Sequence, residues 1–238
     1  MKQKLLLAIQ FWDKDKEQAM KVARLIADLQ SGFCEAADFM FVARFDCTQD
    51  MKTVEHVSRK FNVHHFINTR HRGAEWPHGC NSLWFGTMDY VYTMSVAKRI
   101  PEYKAVLTFE ADSAPLSPNW ISELSRGWDE AKVKVYGAMQ SNPAPHVNGN
   151  ALFSADRDFL KWVTRDVGGC SPHAGWDFVL ASEFRKRGWA DCPKMRSWWG
   201  YPTMSEETFN QLSREGVVFF HGVKNCSLVE HVRNRFAV

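Results

Sequence analysis

The run Ala105-Val-Leu-Thr-Phe-Glu110-Ala-Asp112 passes from branched and aromatic residues to two carboxylates with one residue between them. A buried strand delivers such a pair to the carboxyl edge of a sheet, where α/β proteins bind ligands. Two hard oxygen donors at that edge suit a divalent cation, and a cation there usually faces substrate phosphates. The same residues also read as an acidic turn before Ser113-Ala-Pro115, because strands often end in Asp.

Upstream of this run, strand and helix patterns alternate. Residues 5–10 are strand-like, and residues 14–29 place Val22, Leu25, Ile26 and Leu29 on one helical face. A second strand is expected at 39–44, a short helix at 51–61 with Val54, Val57 and Phe61 inward, and a brief third strand at 65–68. After a loop rich in Arg, His and Gly, residues 81–100 read as a long helix stopped by Pro101. This βαβαβαβ order predicts an α/β fold whose central sheet is mixed but mostly parallel, with helices on both faces. Downstream, helices are expected at 120–131, near 157–163, at 176–187 and at 205–215, with strands at 134–139, 151–153 and 217–220. Residues 189–204 read as aromatic and irregular.

A chain of 238 residues is one large domain or two intimately joined halves, and neither linker nor repeat interrupts it. A net charge of +3, with acids and bases interspersed, neither demands nucleic acid nor excludes it. Ten Trp and seventeen Phe pack cores but also line sugar and base pockets. The six cysteines show no CxxC pair and no zinc-ligand spacing, which predicts reduced thiols and a cytoplasmic protein. The apolar stretch at 5–9 is short and runs into Asp13-Lys-Asp-Lys-Glu17, so a first strand is expected there rather than a signal peptide. No run has the length of a membrane span.

Two further motifs follow the first in order. Gly175-Trp176-Asp177 opens a predicted helix that ends Arg185-Lys-Arg-Gly188-Trp189, and Phe219-Phe-His221-Gly-Val-Lys224 lies near the C-terminus. The ordered trio resembles the GT-A class of nucleotide-sugar glycosyltransferases along most of the chain. That resemblance implies a Rossmann-type single domain over 1–238, with a nucleotide-binding half at 1–112 and an acceptor-binding half at 113–238. It implies Mn²⁺ or Mg²⁺ as cofactor and a nucleotide-sugar donor, with a UDP-sugar the first choice. Asp112 and His221 are the implied metal ligands. Lys224 is implied as a phosphate contact and Asp177 as the general base of an inverting reaction. Three departures stand out: Glu110 replaces the first Asp of the acidic motif, Trp176 replaces a common Glu, and the spacing from His221 to Lys224 is tight. The Glu places residue 110 among donor contacts rather than ligands.

The resemblance also implies donor contacts from Gln10 and Trp12 after the first strand, from Asp46 after the second, and from Arg72 in the basic loop. Asn148, Trp176, Trp198 and Trp199 are the expected acceptor contacts. Each has a plainer reading: a core Trp, a solvated basic loop, an Asn-Gly turn at 148–150, a helix cap at Asp177, a packed His at 221. Charge considerations agree with the resemblance, because a departing nucleoside diphosphate must be neutralised and a mixed O and N ligand set suits Mn²⁺ or Mg²⁺ better than structural zinc.

The acceptor stays open among a polysaccharide, a small molecule and a hydroxymethylated DNA base of the kind phages glycosylate. Arg185, Lys186, Arg187, Lys194, Arg196, Arg233 and Arg235 offer a track for a phosphate backbone. A nucleotidyltransferase is the rival enzyme, although Phe11-Trp-Asp13 stands where its Gly-rich phosphate loop belongs. A degenerate GT-A fold acting as a binding module is the non-enzymatic rival.

Overall fold

Strand β1 (Lys4–Phe11) is buried from Leu5 onward, as a strand covered on both faces must be. Its alternating side chains divide between two apolar clusters: Leu5, Leu7, Ile9 and Phe11 join one, and Leu6 and Ala8 join the other. The computed structural model describes residues 3–45, 47, 50–68, 76–142, 144–167 and 173–238. After β1 come a 3₁₀ turn (Asp13–Asp15), α1 (Lys16–Asp28), β2 (Ala37–Arg44), α2 (Met51–Ser58), β3 (Val63–Asn68), α3 (His78–Val96), β4 (Tyr103–Glu110) and β5 (Ser113–Pro115). The second half contributes α4 (Trp120–Ala131), β6 (Val135–Gln140), β7 (His146–Ser154), α5 (Arg157–Lys161), a π-helical turn (Trp162–Val167), α6 (Trp176–Val179) and α7 (Ala181–Arg187). It ends with β8 (Trp189–Asp191), β9 (Met195–Tyr201), α8 (Glu206–Arg214), β10 (Phe219–Val223) and α9 (Ser227–Phe236).

Seven strands form the main sheet in the order β3-β2-β1-β4-β7-β6-β8. All its pairings are parallel except those that β7 makes with β4 and β6. The sheet is thus mixed and mostly parallel, as the strand–helix alternation predicts. Apolar residues of α1, α2, α4, α8 and α9 pack in one cluster, and those of α3, α5, α6 and α7 in the other. A second, three-stranded sheet runs β5-β10-β9.

The structure departs from the sequence expectations at several points. The long helix starts at His78 and ends at Val96, with Lys98 at a positive φ of 54°, so the chain leaves the helix before Pro101. The helix expected over 176–187 breaks at Leu180 into α6 and α7. The stretch 189–204 holds two strands, β8 in the main sheet and β9 in the second sheet, rather than irregular chain. Asn148-Gly149-Asn150 lies inside β7 near a register shift in its pairing with β6, not in a turn between strands. The short strand β5 and the last helix α9 went unforeseen. Ser205 does cap α8, accepting from the Thr208 N–H at 3.1 Å. The five described cysteines are free thiols. Among the described residues, no helix is long and apolar enough to cross a membrane.

Opposite the ligand edge, Asp38 ties four strands together. Its carboxylate accepts from Lys4 Nζ at 3.1 Å, Asn62 Nδ2 at 3.1 Å and the Tyr103 hydroxyl at 2.8 Å, and His64 Nε2 lies 3.7 Å away. Burial pushes its carboxyl upward, but these partners outweigh burial and hold it well below the usual carboxylate range. Its contribution is therefore full above the unfolded value of about 3.9 and fades as pH falls through the lower folded value. Asp38→Ala is expected to cost about 3 kcal/mol, because it leaves Lys4 and Tyr103 without their buried acceptor. In urea titrations the difference from the parent should shrink as pH drops below about 4.

Candidate active site

Strand β4 ends at Glu110, and the next two residues turn the chain into β5. Asn150, on β7, fixes that turn from beneath. Its Oδ1 accepts from the Glu110 N–H at 2.8 Å and from the Ser113 hydroxyl at 2.6 Å. Asn148 Oδ1 in turn accepts from both nitrogens of Asn150, at 3.0 Å from its backbone and 2.8 Å from its side chain. The Glu110-Ala-Asp112 corner is thus held by side-chain hydrogen bonds as well as by the sheet.

His221 arrives from the other end of the chain. Strand β10 pairs antiparallel with β5, placing His221 opposite Ser113, and the carbonyl of Asp112 accepts from the N–H groups of Gly222 and Val223 at 3.0 and 3.2 Å. Gly222 has a positive φ of 121°, and a Cβ there would lie 1.7 Å from the Trp198 carbonyl oxygen, so only glycine fits between β9 and β10. The neighbouring strand orients the imidazole: Ser197 Oγ lies 2.7 Å from Nδ1. His221 Nε2 then points at Asp112 Oδ1, 3.2 Å away, and Glu110 Oε2, 3.4 Å away. Lys224 Nζ pairs with the other Asp112 oxygen.

Ligand atoms of Glu110, Asp112 and His221 all lie within 4.8 Å of one another. Asp112 Oδ1 and His221 Nε2 are buried and make no hydrogen bond. Buried polar atoms normally find a partner, and these two face each other across 3.2 Å, a spacing that a cation taking a lone pair from each would bridge once the imidazole has given up its proton. Two carboxylates and one imidazole, without a thiolate, fit Mn²⁺ or Mg²⁺. Glu110, expected as a donor contact, lies with Asp112 and His221 in a group that could hold such a cation. Burial alone would lower the His221 pKa, but Asp112 and Glu110 raise it to about 9. Burial opposes ionisation of Asp112, yet His221 and Lys224 hold its carboxyl well below the ordinary range.

The trio opens into a cleft of about 630 Å³. Asp15, Asn148, Asp177, Trp199 and Lys224 also line it. Asp177 sits in the first turn of α6, where its Oδ1 accepts the N–H of Phe178 at 2.9 Å. Burial pushes its carboxyl up, with Glu110 adding to the rise and the Phe178 N–H and His146 opposing it. A smaller cavity of about 250 Å³ adjoins, lined by Gln10, Trp12, Arg44 and Leu83, and shares Asp15, Trp76, Cys80 and Glu110 with the cleft. The Trp12 ring is half-buried there, with Arg44 and Lys14 each 4.8 Å from its centroid. Gln10 is buried and donates to Thr87 Oγ1 at 2.8 Å.

The remaining expectations separate. Trp176 is only 4% exposed and stacks on Trp84 with centroids 3.9 Å apart, so it forms cleft wall but presents no free face. Trp198 packs on Phe220 and Tyr201 against the apolar core and does not line the cleft. Asp46 and Arg72 lie outside the described residues. The seven basic residues expected as a phosphate track do not line the cleft and have other partners. Arg185 and Arg187 lie over Trp189 and Trp162, Lys186 pairs with Glu183, and Lys194 with Glu123. Arg196 pairs with Glu215, Arg233 with Asp28, and Arg235 donates to Asn210.

Three site residues carried no sequence signal of their own: Asp15, Trp76 and Ser197. Asp15 lies in the charged stretch after β1 and accepts the Trp12 N–H at 2.8 Å. Burial raises its carboxyl to about 7; the Trp12 N–H pulls the other way, and Glu110 and Asp112 add to the rise.

Solved structures share this architecture. The chain superposes on TarS of S. aureus with a TM-score of 0.51 for its 1–349 fragment and 0.52 for a longer form, each at 12% identity over 98% of this chain. It superposes on the bifunctional glycosyltransferase WbbM with a TM-score of 0.52, at 10% identity over 98% of this chain. The matched shares of those chains are 64%, 39% and 50%, so this chain spans less than two thirds of each. No family model and no curated protein matches the sequence. At such identities the likeness is one of fold, and that fold is of the GT-A type.

Ser197 sets the orientation of His221 without joining the ligand trio, so Ser197→Ala is expected to weaken Mn²⁺ binding by about 10- to 100-fold while the fold persists. Isothermal calorimetry with Mn²⁺, beside a thermal melt of the same sample, measures both.

Proposed function

We propose that the chain is a divalent-cation-dependent glycosyltransferase that moves a sugar from a nucleotide-sugar donor to an acceptor hydroxyl with inversion. The observation that carries this reading is the convergence of Glu110, Asp112 and His221, with Lys224 beside them, on a cleft that also holds Asp177. The GT-A fold supports it by placing the acidic corner at the carboxyl edge of the parallel strands, where a nucleotide binds. A cation held by Glu110, Asp112 and His221 would supply positive charge against the donor diphosphate as the glycosidic bond breaks.

The chain's own groups do the rest. Lys224, held on Asp112 at the cleft wall, would offer a point charge to the leaving diphosphate. The smaller cavity beside Trp12 and Gln10 takes the nucleoside, for which a uridine diphosphate sugar is the proposed donor. Asp177 removes the proton of the acceptor hydroxyl as its oxygen attacks the anomeric carbon opposite the diphosphate, which inverts that centre. Burial raises the Asp177 carboxyl, the direction a general base needs. Residues 1–112 are assigned to the donor and residues 113–238 to the acceptor, although His221 and Lys224 return to the donor side. Free thiols at all five described cysteines support a cytoplasmic setting.

A nucleotide sugar should raise the melting temperature with Mn²⁺ present, and EDTA should cancel the shift. Absence of any shift across a donor panel, with the chain folded, would favour a binding module. Asp112→Ala should abolish Mn²⁺-dependent turnover and leave the melt cooperative.

Asp177→Asn should keep donor binding and lower transfer by about 10² to 10⁴. Because the base acts deprotonated and its pKa is raised, parent kcat/KM should climb with pH above the usual carboxylate range. The Asn variant should lack that limb. Transfer at the parent rate in Asp177→Asn would reduce Asp177 to a helix-terminus residue.

A further inference from the structure

The cleft carries two exposed indoles to which the donor reading gives no role: Trp199, and Trp76 on the wall shared with the smaller cavity. Trp199 is 90% exposed and Trp76 is 68% exposed, and both line the cavity that holds Asp177. A single exposed Trp is unremarkable on a surface, but two on the walls of one cleft form an apolar surface for a ligand. Gly175 keeps that surface close to the reacting groups: a Cβ at 175 would lie 3.5 Å from Trp76 Nε1 and 2.6 Å from Asp177 Oδ1. Phe178, the residue after Asp177, is itself exposed.

Charge narrows what those rings hold. Asp15, Glu17, Glu110, Asp112 and Asp177 line the cleft, against Lys14, Lys224 and His221 among its described lining residues, and His221 faces Asp112 and Glu110. Lys224 is engaged with Asp112. A polyanion following its backbone across this cleft would meet carboxylates rather than a basic track. An uncharged sugar meets no such penalty: its C–H face stacks on an indole while carboxylates accept from its hydroxyls.

Resting on the glycosyltransferase reading, we propose that the acceptor is an uncharged saccharide stacked on Trp76 and Trp199, which presents a hydroxyl to Asp177. Nucleic acid is the competing acceptor class. It also stacks on aromatic rings, but it depends on a run of phosphate contacts, and beyond Lys14 and Lys224 the described cleft wall presents mainly carboxylates.

The test is a titration of tryptophan fluorescence in the presence of Mn²⁺ and uridine diphosphate. The probes are neutral oligosaccharides (maltotriose, cellotriose, xylotriose and chitotriose) and a single-stranded oligodeoxynucleotide containing hydroxymethylated pyrimidine. The expected result is saturable quenching by at least one neutral oligosaccharide, weakened at least about tenfold in Trp199→Ala and in Trp76→Ala and insensitive to added salt. Quenching by the oligonucleotide alone, falling steeply with salt, would overturn the proposal, as would saccharide binding unchanged in both variants. Calorimetry of nucleotide sugars on the parent chain separates the two levels of argument. Donor binding without any saccharide binding removes the acceptor assignment alone, whereas no donor binding removes the transferase reading beneath it.

Discussion

The antiparallel pairing of β5 with β10 is the constraint on which the site depends. Three residues on each strand align, with His221 opposite Ser113, and the Asp112 carbonyl receives two N–H groups from the far strand. Lys224 and Asp112, 112 residues apart in sequence, become an ion pair through this contact. Without it, the acidic corner at the end of β4 would be two carboxylates on a sheet edge, and the third ligand atom would be missing. Gly222 makes the pairing possible on its other side, because the Trp198 carbonyl of β9 occupies the space a side chain would need. Backbone register, more than any side-chain affinity, therefore sets the distances among Glu110, Asp112 and His221.

The site concentrates negative charge, and the fold offsets it locally. Asp112 is buried and would be costly to ionise alone; His221 and Lys224 hold it ionised. Among the described residues no Lys or Arg pairs with Asp15 or Asp177 as Lys224 does with Asp112, and burial raises both. The carboxylates thus divide into two kinds within one cleft. One is paired, ionised and fit to bind a cation; the others are pushed by burial toward the protonated form. Such a split is a common basis for separate electrostatic and acid–base roles at one centre. At the opposite sheet edge, Asp38 is also buried but is surrounded by donors from β1, β3 and β4, and its role is cohesion of the strands.

Local pattern accounts for much of what was legible. The Ala105–Phe109 run announced a buried strand, Glu110 and Asp112 announced its ligand edge, and the spacing of Val22, Leu25, Ile26 and Leu29 announced α1. Those signals are periodic or terminal, so a window of a few residues contains them. The expected pairing of Asp112 with His221 rested on resemblance, and the structure brings the two together. Trp198 and Trp199 show the limit of such reading: adjacent residues on one strand point to opposite sides, one into the core and one into solvent. Composition alone grouped them. The basic residues near the C-terminus were similarly grouped by count, whereas each has its own partner in the fold.

The sequence by itself determined the α/β class, the parallel run of β1 to β4, and the identity of the acidic corner, because each is written in contiguous residues whose burial pattern matches their period. Only the tertiary structure decided that Asn150 braces that corner, that Ser197 aims His221, that Asp15 shares the cleft, and that Trp76 and Trp199 remain exposed beside Asp177. These relations depend on which strands lie next to one another and in what register. Strand pairing joins residues far apart in the chain through backbone hydrogen bonds that nearly every residue type can make, so no local stretch of sequence records it.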